Sequence, residues 1–338
     1  MKKKYFGTDG IRGAVNKFPI IETFFQKFAV ALIKSKKNTK NILIGKDTRE
    51  SGIMIEKSLL NGFNSQNIFP DFFGEVSTPM LSFYTKYFNY DFGIMISASH
   101  NPYKDNGIKV FKKNGQKLND LEEIKIEKII DSLNPLKIKK KKNLIYKKPN
   151  FDLYKNFILK KFPNITKISI KILLDCANGS LHSFAPGFFK DFGAKVIKYG
   201  CKPNGININK NCGAMFPNKL SELTVKNKAD LGLSFDGDAD RVIVSDEKGN
   251  IIDGDIILAA ISKFYTGKGK KNSIVSTKMS NLSFREFLKK NNIKLYLTDV
   301  GDRYVIKKMK SSKIDLGGEP SGHIIFSENG YCGDGMLT

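Results

Sequence analysis

Leu231-Gly232-Leu233-Ser234-Phe235 runs directly into Asp236-Gly237-Asp238-Ala239-Asp240-Arg241. The first five residues read as a short buried strand, and the next six place carboxylates at i, i+2 and i+4. Three such carboxylates converge on one hard cation only if the residues between them let the backbone curl, which Gly237 and Ala239 allow. Oxygen-only ligation suits Mg²⁺ or Ca²⁺. An EF-hand would also align Asp236, Asp238 and Asp240 with loop positions 1, 3 and 5 and Glu247 with position 12. Position 6 is Arg241 where that loop needs glycine, and strand-like runs stand where its helices should be. A plain acidic surface turn is the competing reading, but a triad at the end of a buried strand is where an α/β fold keeps its chemistry.

The same pattern repeats outward from this stretch. Asn41 to Ile44, Phe92 to Ile96, Lys171 to Leu174 and Ser273 to Ser276 are further apolar runs of strand length, separated by longer amphipathic segments. This predicts an α/β protein. Leu121, Ile124, Ile129, Ile130 and Leu133 recur at helical spacing behind Asn119 and Asp120, either of which suits a cap. Leu136 to Asn150 holds seven lysines between Pro135 and Pro149 and reads as a solvated linker. A second boundary is expected near Ile251 to Asp255, after a strand-like Arg241 to Ser245 and a turn at Lys248-Gly249-Asn250. The predicted domains are 1–135, 151–252 and 253–338, with 136–150 as linker; no short-period repeat is visible.

Three other segments combine reactive side chains with apolar flanks. Ile96-Ser97-Ala98-Ser99-His100-Asn101-Pro102, followed by Asn106-Gly107-Ile108-Lys109, puts a hydroxyl, an imidazole and an amine at a strand end. The G-x-S-x-G elbow of a serine hydrolase is absent. Phosphoryl transfer needs a metal, cations around the oxygens and a hydroxyl to carry phosphate, which the Asp triad, Lys109 and Ser99 supply. Gly317-Gly318-Glu319-Pro320-Ser321-Gly322-His323 places Glu319, Ser321 and His323 at alternate positions, so an extended segment would present them on one face. A structural turn is the alternative there. Gly7-Thr8-Asp9-Gly10-Ile11-Arg12-Gly13 permits close backbone approach and offers Arg12 to a phosphate, without being a Walker A or G-x-G-x-x-G loop.

Composition bounds the function. The 338 residues include 57 Lys plus Arg against 33 Asp plus Glu, a formal charge of +24. Only five are arginines, at 12, 49, 241, 285 and 303, so lysine does most of the charging. A dedicated nucleic-acid binder would use arginine for bidentate contacts, so a noncatalytic basic nucleic-acid-binding protein is the disfavoured alternative. Four of the five arginines lie in Gly- or Asp-containing motifs, where guanidinium geometry is the expected reason. A hydrophobic content of 41% with 26 Phe excludes wholesale disorder. The four cysteines form no C-x-x-C pair, and no apolar run approaches the ~18 residues of a membrane helix. Lys2 to Lys4 are followed at once by Gly7 to Gly10 and not by a signal-peptide core. A reduced, cytoplasmic protein without a membrane partner is expected.

Taken together, Ser99-His100-Asn101-Pro102, Asp236 to Asp240 and Glu319 to His323 resemble the phosphoserine, metal and sugar-binding loops of the α-D-phosphohexomutase superfamily. Within it, Tyr5 to Gly13, Asp175-Cys176-Ala177-Asn178-Gly179, Pro203 to Asn209 and Asn211-Cys212-Gly213 resemble the bacterial phosphoglucosamine mutase branch. The phosphomannomutase and phosphoglucomutase branches are the nearest rivals. The resemblance covers essentially the whole chain and implies three related α/β domains with mixed sheets. It also implies an isomerase converting glucosamine 6-phosphate to glucosamine 1-phosphate through a 1,6-bisphosphate, for cell-wall precursor synthesis. Ser99 would carry the phosphoryl group and, with Asp236, Asp238 and Asp240, hold one Mg²⁺. Lys109 or His100 would move protons, Arg12 would contact phosphate, and Arg241, Glu319, Ser321, His323 and Arg303 would bind the phosphohexosamine. A homodimer is left open. The family's fourth domain carries an Arg-Ser-Gly-Thr-type loop for the non-reacting phosphate. No such loop occurs in this sequence, so a fragment lacking that C-terminal domain, with impaired activity, is expected.

Overall fold

The computed structural model describes residues 3–136, 144–163, 167–266 and 272–338. Its strands form three sheets. The first contains β1 (Ile11–Ala14), β2 (Ile42–Lys46), β3 (Asp71–Glu75), β4 (Phe92–Ile96) and β5 (Asp105–Lys112), in the order β1-β5-β4-β2-β3. The second contains β6 (Lys171–Asp175), β7 (Lys195–Tyr199), β8 (Leu231–Phe235), β9 (Val242–Asp246) and β10 (Ile251–Ile252), in the order β10-β9-β8-β6-β7. The third contains β11 (Ser273–Thr277), β12 (Lys294–Thr298), β13 (Leu316–Gly318) and β14 (Ile324–Phe326), in the order β12-β11-β13-β14. All three are mixed, with parallel pairs at the centre and an antiparallel last strand.

One unit recurs three times. In each sheet four successive strands a, b, c and d lie in the order d-c-a-b: β2 to β5, β6 to β9 and β11 to β14. Helices supply the two parallel crossovers, as parallel pairing requires. The connection from c to d is then a short antiparallel turn, and in the three units it contains Ser99, the Asp236 to Asp240 triad, and Glu319 to His323 respectively. The three reactive segments are therefore topological equivalents, although they share no sequence pattern. Their strands, the apolar runs β2, β4, β6, β8 and β11, are the buried centres of the sheets.

Two sequence expectations change in this context. The helix Asp120–Ser132 starts with a full capping box between Asn119 and Glu122, so Asn119 is the cap. Its inward face, however, carries Glu123, Ile126, Glu127 and Ile130, while Leu121 is 79% exposed. The two buried carboxylates have partners that the helical period cannot show. Glu127 accepts the backbone N–H groups of Lys4, Tyr5 and Phe6, and Glu123 pairs with Lys3. The helix thus clamps the N-terminal segment to the first domain. Of the supposed solvated linker, 137–143 lie outside the described residues. The part after them packs on the first sheet: Lys147 N–H donates to Phe72 O at 2.7 Å, and Tyr146 Oη donates to Glu56 Oε2 at 2.6 Å. Tyr146 also stands edge-on to Phe72.

Burial also fixes a pH response at the join of the second and third domains. Tyr154, in the helix Phe151–Leu159, donates to Asp334 Oδ2 at 2.7 Å, while Asp334 Oδ1 accepts from Met336 and Leu337 N–H. Burial pushes the Asp334 carboxyl up to about 6, despite those three bonds. A folded-state pKa above the unfolded one favours folding at low pH, and the advantage is lost as pH rises through about 6. Asp334→Asn keeps the shape and cannot titrate. Between pH 4 and 7 the melting temperature of the parent is therefore expected to fall relative to that of Asp334→Asn; parallel profiles in a thermal scan would contradict this.

Candidate active site

The three c-to-d turns meet where the domains meet. Asp236, Asp238 and Asp240 are fully buried, and one oxygen from each lies within 4.8 Å of the others. The curl depends on Ala239, at φ +60°, and on Gly237, whose Cα packs so close to Gly179 that a Cβ there would lie 2.7 Å from it. Ser99 is 1% exposed and has φ +52°, a left-handed conformation uncommon for a non-glycine residue. Such backbone strain clusters at functional sites. From that position Ser99 Oγ donates to Asp236 Oδ2 at 2.6 Å and lies 3.3 Å from His100 Nδ1.

The charges around this cluster nearly compensate. Lys109, 1% exposed, reaches Asp238 Oδ2 at 2.7 Å, Asp240 Oδ2 at 2.8 Å and Asp9 Oδ2 at 3.0 Å. Burial alone would lower the Lys109 pKa, but Asp238, Asp240 and Asp9 outweigh it and hold it well above the ordinary value. Asp236 has no ion pair with Lys109: burial, then Asp240 and Asp238, push its carboxyl up to about 8 against the opposing pull of Arg241. His100 moves the other way, to about 4, through burial and then the guanidinium groups of Arg241 and Arg12. Its ring is neutral at pH 7.

Arg12 donates to Ala98 O at 3.3 Å and pairs with Asp9, and Arg241 Nε is 3.9 Å from Asp240 Oδ1. Several polar atoms here are buried without hydrogen-bond partners: Arg12 Nε, Arg241 Nε, Asp238 Oδ1 and Ser321 Oγ. Unsatisfied buried groups are costly, and their concentration beside one cluster fits a site that takes an ion and a polar ligand. Three carboxylates, two of them (Asp238 and Asp240) with an oxygen that has no hydrogen-bond partner, match a hard divalent cation.

The third turn is not extended as its alternating pattern suggested. Glu319 N–H donates to His323 O and Gly322 N–H to Glu319 O, so the residues form a tight hairpin turn. The reason is the antiparallel pairing of β13 with β14 on either side. His323 Nδ1 consequently lies 3.3 Å from Asp240 Oδ1, and Glu319 Oε1 accepts from Gly301 N–H at 2.8 Å. Arg303 is engaged elsewhere, donating to Thr8 O at 2.8 Å and pairing with Asp120 and Glu123. It ties the third domain to the first, as does Lys117 between Asp9 and Asp302.

Four contributors were given no site role by the sequence. Arg49 is 1% exposed, and its guanidinium donates to the carbonyls of Ser99 (2.9 Å), Asn101 (2.8 Å), Asp105 (3.0 Å) and Pro102 while pairing with Asp47 at 2.9 Å. Asn209 Nδ2, from the second domain, donates to Ser99 O and Asn101 O. Thr78 donates its N–H to Asp238 O at 2.9 Å and its hydroxyl to Asp238 Oδ2. Ser97 Oγ accepts from Ser99 N–H and donates to Asp47. Arg49 had a sequence signal, as one of five arginines and two residues from an aspartate, and Ser97 and Asn209 lay inside segments already singled out, whereas Thr78 had none.

A strained serine hydroxyl against a buried carboxylate triad, ringed by arginines and lysine at the meeting of three α/β units, defines a phosphoryl-transfer centre of the phosphohexomutase class. Domain models of this class match in order: phosphoglucomutase/phosphomannomutase domain I at residues 3–136, domain II at 152–249 and domain III at 253–338. A phosphoglucomutase/phosphomannomutase family protein of Burkholderia thailandensis shares the fold, with TM-score 0.82 at 21% identity over 99% of this chain and 75% of that one. An N-acetylphosphoglucosamine mutase of Aspergillus fumigatus, solved with GlcNAc-6P and magnesium, gives TM-score 0.63 at 17% identity, covering 99% and 76%. Among curated sequences, the phosphoglucosamine mutase of Aliarcobacter butzleri is 42% identical over 99% of this chain and 78% of its own length. That of Campylobacter jejuni strain 81-176 is 43% identical over 99% and 77%. The chain belongs to the phosphoglucomutase/phosphomannomutase superfamily and, within it, to the phosphoglucosamine mutase family. Among the described residues no helix is long and apolar enough to cross a membrane.

Proposed function

We propose that the protein interconverts glucosamine 6-phosphate and glucosamine 1-phosphate, with Ser99 carrying the phosphoryl group between two half-reactions. The observation that carries this reading is the contact of Ser99 Oγ with Asp236 at 2.6 Å beside the rest of the triad. In the first half-reaction the bond from phosphorus to Ser99 Oγ breaks and one to a sugar hydroxyl forms, giving the 1,6-bisphosphate. Return of the other phosphate restores phosphoserine. His100, 3.3 Å from Ser99 Oγ, stands where a transferring proton passes, and Arg12 and Arg241 offset charge on the phosphate oxygens. Lys109 holds the carboxylates in place through its three ion pairs.

Mg²⁺ is the proposed cofactor, held by Asp236, Asp238, Asp240 and the phosphorylated Ser99; when bound it supplies positive charge to the transferring group. Support comes from the oxygen-only donors and the unpartnered Asp238 Oδ1. Glu319 and Ser321 are assigned to sugar hydroxyls, with His323 positioning Asp240. Arg303 would reach the substrate only by giving up Asp120 and Glu123.

The test is a comparison of kcat/KM for glucosamine, mannose and glucose 6-phosphates, each primed with its bisphosphate. Glucosamine 6-phosphate is expected to exceed both by at least about tenfold, a difference of about 1.4 kcal/mol in transition-state binding. Preference for either neutral sugar would transfer the chain to a rival branch.

A further inference from the structure

Outside the phosphoryl-transfer centre, the second domain places two thiols together. β6 and β7 run parallel with Asp175 opposite Tyr199, so Cys176 and Cys201 leave neighbouring strand ends side by side. Cys176 N–H donates to Tyr199 O at 3.2 Å, and Cys201 Sγ lies 3.1 Å from the same carbonyl oxygen. Both side chains turn to the same apolar core, Cys176 within it and Cys201 packed against it. Their environments differ. Cys176 is 0% exposed, whereas Cys201 is half-buried and opens on a cavity of about 390 Å³ lined also by Lys198, Lys202 and Lys210. Lysines around a partly accessible thiol favour its thiolate.

We infer that Cys201 is a peroxide-reactive thiol that closes a disulfide with Cys176. The Cys201 thiolate attacks one oxygen of a hydroperoxide: the O–O bond breaks, an S–O bond forms, and hydroxide leaves, so sulfur is oxidised and peroxide reduced. The Cys176 thiol then attacks the sulfenic sulfur, forming S–S and releasing water, which carries away the sulfenic oxygen and the thiol proton. The neighbouring Cys176 thiol holds Cys201 below the ordinary thiol pKa against the effect of burial. The other candidate partner, Cys212, faces the same cavity but is held by Asn178 Nδ2 at 3.5 Å, and burial pushes its thiol up to about 12. Cys332 is buried in the third domain.

The pair sits under the phosphoryl-transfer centre. Cys176 O accepts Gly179 N–H, Ala177 O accepts Asn209 N–H, and Ser180 N–H donates to Gly237 O. A link at Cys176 therefore acts on the turn that supports both Gly237 and the amide holding Ser99 O.

The test is a titration of the reduced full chain with hydrogen peroxide, followed by alkylation of remaining thiols in denaturant and nonreducing peptide mapping. A Cys176–Cys201 peptide pair two hydrogens lighter is expected while Cys332 remains alkylated, and Cys201→Ser should leave Cys176 alkylated as well. The inference is overturned if Cys201 stays alkylatable after Cys332 is oxidised, if it links to Cys212, or if it ends as a sulfinic acid with Cys176 free. Each overturning outcome is read on the parent chain, so it does not depend on how the variant folds.

Discussion

Ser99→Ala is expected to abolish phosphate transfer from a 1,6-bisphosphorylated hexosamine to the protein and to lower turnover by at least about 10³-fold, the scale of losing a covalent nucleophile. The substitution is clean because the side chain does little for the fold. Among the described residues Ser99 Oγ hydrogen-bonds only with Asp236 and His100, whereas the loop is held through backbone groups that alanine retains. Alanine at φ +52° is no more strained than serine. Intact mass and peptide mapping check the result: the parent gains one phosphate on Ser99 and the variant gains none. Phosphate on another serine would end the assignment. Chelation of divalent metal should suppress labelling of the parent without altering its fold, since Lys109 offsets the charge of Asp238 and Asp240 through its own ion pairs.

The central strands and the reactive loops of this chain were legible because each is written locally. Apolar runs of five residues, as at Phe92–Ile96 and Leu231–Phe235, matched strands end to end. What was not legible depends on partners remote in sequence. Lys109 meets Asp238 across 129 positions, and nothing near either residue announces the pair. Glu123 and Glu127 looked like the polar side of a helix because their partners, Lys3 to Phe6, lie over a hundred positions away. The threefold recurrence of the d-c-a-b sheet was hidden for a different reason: a strand needs only the right pattern of apolar residues, so equivalent units can share a topology while differing in every letter. The sequence left the Glu319 to His323 segment open between an extended run and a turn, because alternation is compatible with either, and only the pairing of β13 with β14 decides.

Arg49→Met is expected to destabilise the first domain by about 3–5 kcal/mol, the cost of removing one partner from a buried ion pair. Asp47 would keep a buried charge, 1% exposed, with only Ser97 Oγ and the residue-49 N–H to solvate it. Four carbonyls would also lose their shared donor. Arg49→Lys retains the charge, but one ammonium cannot span acceptors arranged around a planar fork, so only part of the loss should be recovered. Denaturant melts followed by a fluorescence or circular-dichroism signal measure this directly. A functional effect separates from the stability effect because the carbonyls of Ser99 and Asn101 are held twice, by Arg49 and by Asn209. With Asn209 still in place the loop remains folded under native conditions but is less fixed. A misplacement of about 1 Å is enough to cost about 10²-fold in rate. Labelling of Ser99 should therefore slow on that scale at temperatures well below the melt, with metal affinity little changed because the triad lies on the second domain. A variant that unfolds as predicted yet labels at the parent rate when folded would show that Arg49 holds the domain together without positioning the serine.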